Sequence, residues 1–324
     1  MTETAGDRAL TCWVVTDGRA GIEAQALGLA EAFAARRQIQ IVTKRISVKA
    51  PWRVLPPALW GDAFSRLGEG GDALTPPFPD LWIGCGRLSV PLSIAVKKKH
   101  PATFTVQLQD PRAPTSLFDL VIAPAHDRLA GENVVSIIGA PTRAIARDPA
   151  AGAVRANSSA AVVIGGPNRA MRMSVGDVQD IAKQLRALAV NGTELSVTTS
   201  RRTPPEAAQI LEDALKGVAR IFWRADRDAA EANPYPAMLR GCDAVLVTED
   251  SVNMAIEAAQ TGAPVHIIRM ARKPFASAKK FDAFHQSLRE RGVARYFDGG
   301  LKKWNYQPLD ETSRAADEIL RRLR

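Results

Sequence analysis

Residues 233–268, NPYPAMLRGCDAVLVTEDSVNMAIEAAQTGAPVHII, decide the fold. Within them 244–248 (AVLVT) is a short apolar run of the kind that forms a buried strand. Asp250 or Ser251 supplies a helix cap, and 251–261 carries Met, Ile and Ala at helical spacing. Thr261-Gly262-Ala263-Pro264 stops that helix, because Gly accepts the conformation after a last turn and Pro cannot continue it. Residues 264–268 (PVHII) then read as a second strand. Strand, helix and strand in so short a span imply a right-handed crossover between parallel neighbours.

The same alternation extends in both directions. Upstream, strands are expected at 10–16, 38–46, 80–85, 103–108, 120–123 and 134–138, with helices at 22–36 and 89–98. Residues 51–78, rich in Pro, Trp and Gly, read as a segment wandering over the surface. Residues 143–159 have no strong period and read as a linker. The alternation then restarts with strands at 160–164, 195–199 and 220–223, and helices at 175–189, 204–215 and 236–241. Helices at 281–291 and 313–323 close the chain. The expected class is α/β: two Rossmann-like parallel-sheet domains divided by the linker. The domains are expected at 1–145 and 158–305, with 306–324 a terminal helix crossing back to the first.

Length and composition agree. A chain of 324 residues suggests about two domains. With 46% apolar and 24% charged residues it is an ordinary globular chain, which excludes long disorder and fibrous repeats. Lys and Arg total 43 against 34 Asp and Glu, a net charge of +9, favouring polyanionic partners: nucleotides, nucleic acid or an anionic membrane surface. The charge is dispersed and lacks basic–aromatic alternation, so no nucleic-acid partner is expected. No apolar run approaches the roughly 20 residues of a membrane helix, and the N-terminus does not read as a signal peptide. Cys12, Cys85 and Cys242 lie far apart in apolar segments and read as buried, reduced thiols of a cytoplasmic protein. Peripheral work at the inner membrane is compatible with the charge.

Parallel sheets bind ligands at the carboxyl ends of their strands, so the residues after each strand are the candidates. After the first strand comes Asp17-Gly18-Arg19-Ala20-Gly21, opening a helix: an acceptor or phosphate loop in which glycines let backbone approach an anion and Arg19 adds a charged donor. In the second half Gly165-Gly166-Pro167-Asn168-Arg169 occupies the equivalent place. Ser200-Arg201-Arg202 and Phe222-Trp223 end two further strands, offering guanidiniums to phosphate and an aromatic face to a base. Asp250, Ser251, Val252 and Asn253 lead into the helix that carries Glu257. Asp17, Asp110 and His126 are the candidate general bases, with Arg112 beside Asp110; the sequence leaves the choice among them open. His100, His266 and His285 read as structural or surface groups. HExxH, CxxC, GxSxG, GxGxxG and Walker patterns are absent, so neither metal nor cofactor is expected.

Several stretches resemble one family across nearly the whole chain. They are TDGRAGIEAQALGLAEA (16–32), PDLWIGCGRLSVPLSIAVKK (79–98), TVQLQDPR (105–112), FDLVIAPAHD (118–127), VVIGGPNRAMRM (162–173) and TEDSVNMAIEAAQTGAPVHI (248–267). They are similar to the "elongated mitochondria" fission-factor family, named for a plant protein that recruits a dynamin-related GTPase. Its bacterial members carry the label nucleoside-diphosphate-sugar epimerase. An NAD-type epimerase calls for GxGxxG and Tyr-x-x-x-Lys, and none of Tyr235, Tyr296 and Tyr306 has Lys four residues on.

A second resemblance is confined to 233–268. It looks like the donor site of GT-B glycosyltransferases, nearest to the lipid-linked peptidoglycan N-acetylglucosaminyltransferase, and so implies a GT-B-like architecture, two Rossmann-like parallel-sheet domains facing each other across a cleft. It implies that Glu257 holds ribose hydroxyls, that Ser251, Val252 and Asn253 offer amides to a diphosphate, and that Gly165 and Gly166 form the glycine-rich loop. Glu249 and Asp250 would then place negative charge near the diphosphate, implying a different donor or a bridging cation. The expected function is transfer from a nucleoside-diphosphate sugar to an unidentified acceptor, a lipid-linked one among the options, by a metal-independent enzyme. The alternatives are a non-catalytic fission-type adaptor and an epimerase.

Overall fold

The computed structural model describes residues 10–145, 148 and 158–323. Most of the expected linker, 146–147 and 149–157, lies outside them. The chain divides into two compact units: Met1–Ala144 with Asp310–Arg324, and Ile145–Leu309.

The first unit is built on β1 (Leu10–Thr16), β2 (Ile39–Arg45), β3 (Leu81–Cys85), β4 (Phe104–Leu108), β5 (Leu120–Pro124) and β6 (Val134–Ile137). They pair in the order β2-β1-β3-β4-β5-β6, all parallel. β3 is buried at every position, as a strand covered on both faces must be. Helices α1 (Ala20–Ala34) and α2 (Val90–Lys99) flank the sheet. The terminal helix α8 (Glu311–Arg322) belongs to this unit: Ala315, Ala316 and Ile319 join Leu29, Phe33 and Ile137 in its core. Glu311 accepts the Ile138 N–H at 3.1 Å, and the Thr312 hydroxyl accepts the Thr142 N–H at 2.9 Å. Residues up to Leu309 pack with the second unit, where the Tyr306 hydroxyl donates to the carbonyls of Ala259 and Ala263.

The segment 51–78 corrects an expectation. It does not simply wander over the surface: Trp60, Ala63 and Leu74 are buried with Trp13, Val15, Trp82, Leu92 and Val96, and Trp52, Phe64 and Phe78 pack against them. The aromatic side chains fill a sheet face that would otherwise stay wet.

The second unit pairs β7 (Ser159–Ile164), β8 (Glu194–Thr199), β9 (Ala219–Trp223), β10 (Ala244–Thr248), β11 (Val265–Ile268) and β12 (Ala294–Tyr296) in the order β12-β11-β10-β7-β8-β9, again all parallel. β12 is a three-residue strand too short for the sequence pattern to reveal. Helices α3 (Val175–Val190), α4 (Pro205–Leu215), α5 (Tyr235–Gly241), α6 (Val252–Gln260) and α7 (Lys279–Glu290) complete the unit. α3 opens with a capping box in which Ser174 and Asp177 satisfy each other's backbone N–H.

Candidate functional site

Strand order locates the candidate crevices. In open α/β sheets a ligand binds outside the carboxyl ends of the two strands where chain order reverses. In the second unit those strands are β7 and β10; in the first they are β1 and β3.

The β7–β10 switch is held by a buried polar network. The Thr248 hydroxyl accepts the Gly165 N–H and donates to Asp250 Oδ1, both at 2.7 Å. Asp250 Oδ2 accepts the Gly166 N–H at 3.1 Å and the Arg202 guanidinium at 2.5 Å. The Asp250 side chain is wholly buried, whereas Arg202 is 45% exposed. One ion pair thus ties the loops after β8 and β10 across the loop after β7. The glycines are required sterically: a Cβ on Gly165 would lie 2.1 Å from Asp250 Oδ1, and one on Gly166 would lie 2.0 Å from the Arg202 carbonyl oxygen.

This geometry corrects part of the phosphate-loop expectation. The N–H groups of Gly165 and Gly166 are already spent on Thr248 and Asp250 and are not aimed at a ligand. Asn168 also works inward: its Oδ1 accepts the N–H groups of Ala170 and Met171, and its Nδ2 donates to the Asp250 carbonyl at 3.4 Å. The negative charge expected near a diphosphate is likewise internal. Glu249, buried, accepts from the Met270 N–H and from Arg272 at 2.8 Å, while Arg272 also reaches Asp282 at 2.7 Å.

His285, assigned to structural or surface roles from sequence, is wholly buried and donates from Nε2 to the Glu249 carbonyl at 2.8 Å. Burial pushes its pKa down, only partly offset by that bond. His266, on β11, is also buried and lowered by desolvation.

The groups around α6 are partly exposed. Ser251 caps the helix by accepting the Met254 N–H at 3.4 Å, and Ser251, Val252 and Asn253 are half-buried. Glu257 lies one to two turns further on and accepts a hydrogen bond from the Tyr235 hydroxyl. Burial holds the Glu257 carboxyl above its ordinary value, and the tyrosine bond opposes that in part. Tyr235 is held well above its ordinary value by burial first, then by the neighbouring carboxylate. Sequence reasoning missed Tyr235 as a site residue, because its partner is 22 positions away and no local spacing links them.

Arg169 and Arg201 are exposed on the loops after β7 and β8. Ser200 accepts the Arg202 N–H at 3.2 Å and so shapes its own turn. Phe222 and Trp223 end β9, two strands from β7, which is about 10 Å at ordinary strand spacing. Phe222 packs against the core of this unit, so it serves folding rather than the crevice.

At the β1–β3 switch, Asp17 accepts two hydrogen bonds from Arg19 Nε, at 2.9 and 3.1 Å, and pairs with its Nη2 at 2.8 Å. That contact holds the Arg19 guanidinium above its ordinary value. Gly18 takes a φ of +75°, which turns the chain into α1. Gln25, on α1 and nearly buried, accepts from the Gln109 amide at 2.9 Å and from the Cys85 thiol at 3.8 Å. The polar stretch 107–112 that contains Gln109 was a candidate docking segment from sequence, but Gln25 was not singled out; tertiary packing brings the two together.

The three candidate bases are not one cluster, since they follow different strands. Asp17 follows β1, at the switch. Asp110 follows β4 and accepts the Arg112 N–H at 2.8 Å, within a turn where Gln109 and Arg112 have φ of +69° and +50°. His126 follows β5, with Asp127 beside it at 3.9 Å. Three strand spacings, about 14 Å, separate β1 from β5.

Cys12, Cys85 and Cys242 are free and buried. Burial pushes the Cys12 and Cys85 thiols far up, so they are unreactive. Among the described residues no three His, Cys, Asp or Glu side chains gather into a metal-binding group. No helix among them is long and apolar enough to cross a membrane.

Two Rossmann-like parallel-sheet units, one in the strand order of dinucleotide-binding folds, give the two-domain α/β architecture of GT-B folds. Solved structures share this fold. S. aureus MnaA with UDP matches with a TM-score of 0.51 at 15% identity, over 97% of this chain and 89% of that one. A Listeria monocytogenes protein assigned as a UDP-N-acetylglucosamine 2-epimerase gives 0.54 at 11% identity, over 98% and 88%. The glycotransferase of kitacinnamycin gives 0.51 at 13% identity, over 98% and 95%.

The chain itself belongs to the mitochondrial fission ELM1 family, whose model matches residues 20–323. Mitochondrial fission protein ELM1 of Arabidopsis thaliana is 30% identical over 286 residues, which cover 76% of this chain and 64% of the plant protein. The chain thus spans about two-thirds of the length of that relative.

Proposed function

We propose that the chain binds a nucleoside-diphosphate sugar at the β7–β10 switch of its second unit and transfers the sugar to an acceptor hydroxyl. The observation that carries this is the α6 segment. Its half-buried first turn, Ser251 to Asn253, and the carboxylate of Glu257 lie on the helix leaving a topological switch strand. A helix N-terminus favours a diphosphate, and a carboxylate further along accepts ribose hydroxyls. Arg169 and Arg201 supply exposed cations on the neighbouring loops. Gly165, Gly166, Asn168 and Asp250 hold the crevice in shape instead of touching the ligand.

In the transfer, the acceptor oxygen forms a bond to the anomeric carbon as the bond from that carbon to the diphosphate breaks. The diphosphate departs with the electron pair, stabilised by amides and guanidiniums. The acceptor proton passes to a general base. The net charge of +9 supports a lipid-linked acceptor at an anionic membrane.

Calorimetric titration with UDP, GDP, ADP, CMP and their sugars tests the donor site, with wild type beside Glu257→Ala. One nucleotide is expected to bind, and the variant to lose about 1–3 kcal/mol, the worth of a charged hydrogen bond. A second reading follows from family membership: a non-catalytic adaptor on this fold. It gains if no nucleotide binds at millimolar concentration.

A further inference from the structure

The loop between β11 and α7 carries the most exposed large apolar side chain among the described residues. Phe275 has a relative exposure of 109% and a φ of +60°, a conformation that bulky residues rarely adopt. The loop is not loose at its base. Arg272 bridges to Met171, the Arg172 N–H donates to the Ala271 carbonyl at 2.8 Å, and the Lys273 N–H donates to the Ala170 carbonyl at 2.9 Å. Met270, Ala278 and Phe281 bury themselves with Ala170 and Met171 beneath it. The tip is therefore held outward by a fixed base.

Its charge is one-sided. From 258 to 281 the sequence contains no Asp or Glu. Arg269, Arg272, Lys273, Lys279 and Lys280 are all exposed. Glu249 and Asp282 both bind Arg272. Arg269 stacks on the Tyr296 ring at 3.9 Å. A bare aromatic tip ringed by cations suits a surface that is apolar beneath and anionic above. A protein interface requires roughly 800 Å² per partner, far more than one phenylalanine offers. Single-stranded nucleic acid requires several stacking faces along a groove. A lipid surface requires only a wedge and its cations.

We propose that the 269–281 loop is an interfacial anchor that seats the protein on an anionic lipid surface. Phe275 enters the boundary between headgroups and acyl chains while Lys273 and Lys279 hold lipid phosphates. This deepens the membrane part of the proposed function and is independent of nucleotide binding.

The test is co-sedimentation of the full chain, without nucleotide, with vesicles of phosphatidylcholine alone or mixed with phosphatidylglycerol. Wild type is compared with Phe275→Ser, with Lys273→Glu/Lys279→Glu, and with Val54→Ser/Leu59→Ser, which removes the exposed apolar pair of the first unit. Circular dichroism checks that each variant is folded. Binding is expected only to the anionic vesicles, weaker at high salt. Phe275→Ser should weaken it about tenfold, and the charge reversal by roughly 25-fold or more, at about fivefold per cation. The Val54/Leu59 variant should match wild type. Binding that survives Phe275→Ser overturns the anchor and leaves only charge adsorption. Loss confined to the Val54/Leu59 variant moves the anchor elsewhere and also overturns it. No binding to either vesicle overturns both the anchor and the membrane part of the function, and leaves the nucleotide titration to stand alone.

Discussion

Glu257 is the side chain on which the proposed donor site most depends. Its carboxyl is raised by burial and bonded by Tyr235. A carboxyl whose folded pKa lies above its unfolded value binds more protons when folded. Its contribution to stability is therefore full below the ordinary carboxylate range and is lost as pH rises through the folded value. Above that value the ionised Glu257 costs the fold stability, a cost a binding site can carry if the ligand's hydroxyls later solvate the charge. Glu257→Gln should thus unfold at a higher temperature than wild type at pH 8, the gap closing as pH falls into the carboxylate range. Thermal unfolding monitored across pH decides it, and a variant less stable than wild type at pH 8 would contradict the assignment. The same substitution should weaken nucleotide binding about tenfold, the worth of one charge-assisted hydrogen bond.

At the scale of elements, the loops after β7, β8 and β10 behave as one part because Asp250 joins them. Asp250→Ala leaves the Gly166 N–H and the Thr248 hydroxyl buried without their acceptor, while half-exposed Arg202 can rehydrate. The expected loss is about 2–4 kcal/mol in urea unfolding. Arg201→Ala, one residue from Arg202 but exposed, should change stability by less than about 0.5 kcal/mol. It should nevertheless weaken nucleotide binding if its guanidinium meets the diphosphate. This pair separates groups that build the crevice from groups proposed to serve a ligand, a distinction a linear reading of Asp250 and Arg201 does not make.

For the molecule as a whole, α8 completes the first unit although it follows the second in sequence. Its Ala315, Ala316 and Ile319 are fully buried against α1 and β6 neighbours. Ending the chain at Leu309 strips that face, at a cost of several kcal/mol for the apolar area exposed. Differential scanning calorimetry should show the first unit melting well below the second, whereas the full chain keeps it higher. Equal melting of both forms would mean that α8 does not support the first core.

The sequence by itself determined the secondary elements and their alternation. Burial on both faces leaves parallel strands as apolar runs, and caps and glycines mark where helices begin and end. The stretch 233–268 was sufficient for the crossover, and β1 was legible residue for residue. Family membership was also legible, since motifs such as TDGRAG and TEDSVNMAIEAAQTGAP run nearly the whole chain. What only tertiary structure decided is which polar groups bond to one another. Gly165 and Gly166 look like a phosphate loop in a linear reading, yet their N–H groups go to Thr248 and Asp250, more than 80 positions away, and Asp250 in turn takes Arg202. The Tyr235–Glu257 contact, the Gln25–Gln109 contact and the burial of Trp60 were invisible for the same reason. Local spacing governs helices and strands, whereas a side chain's partner is set by which elements the sheet order places side by side.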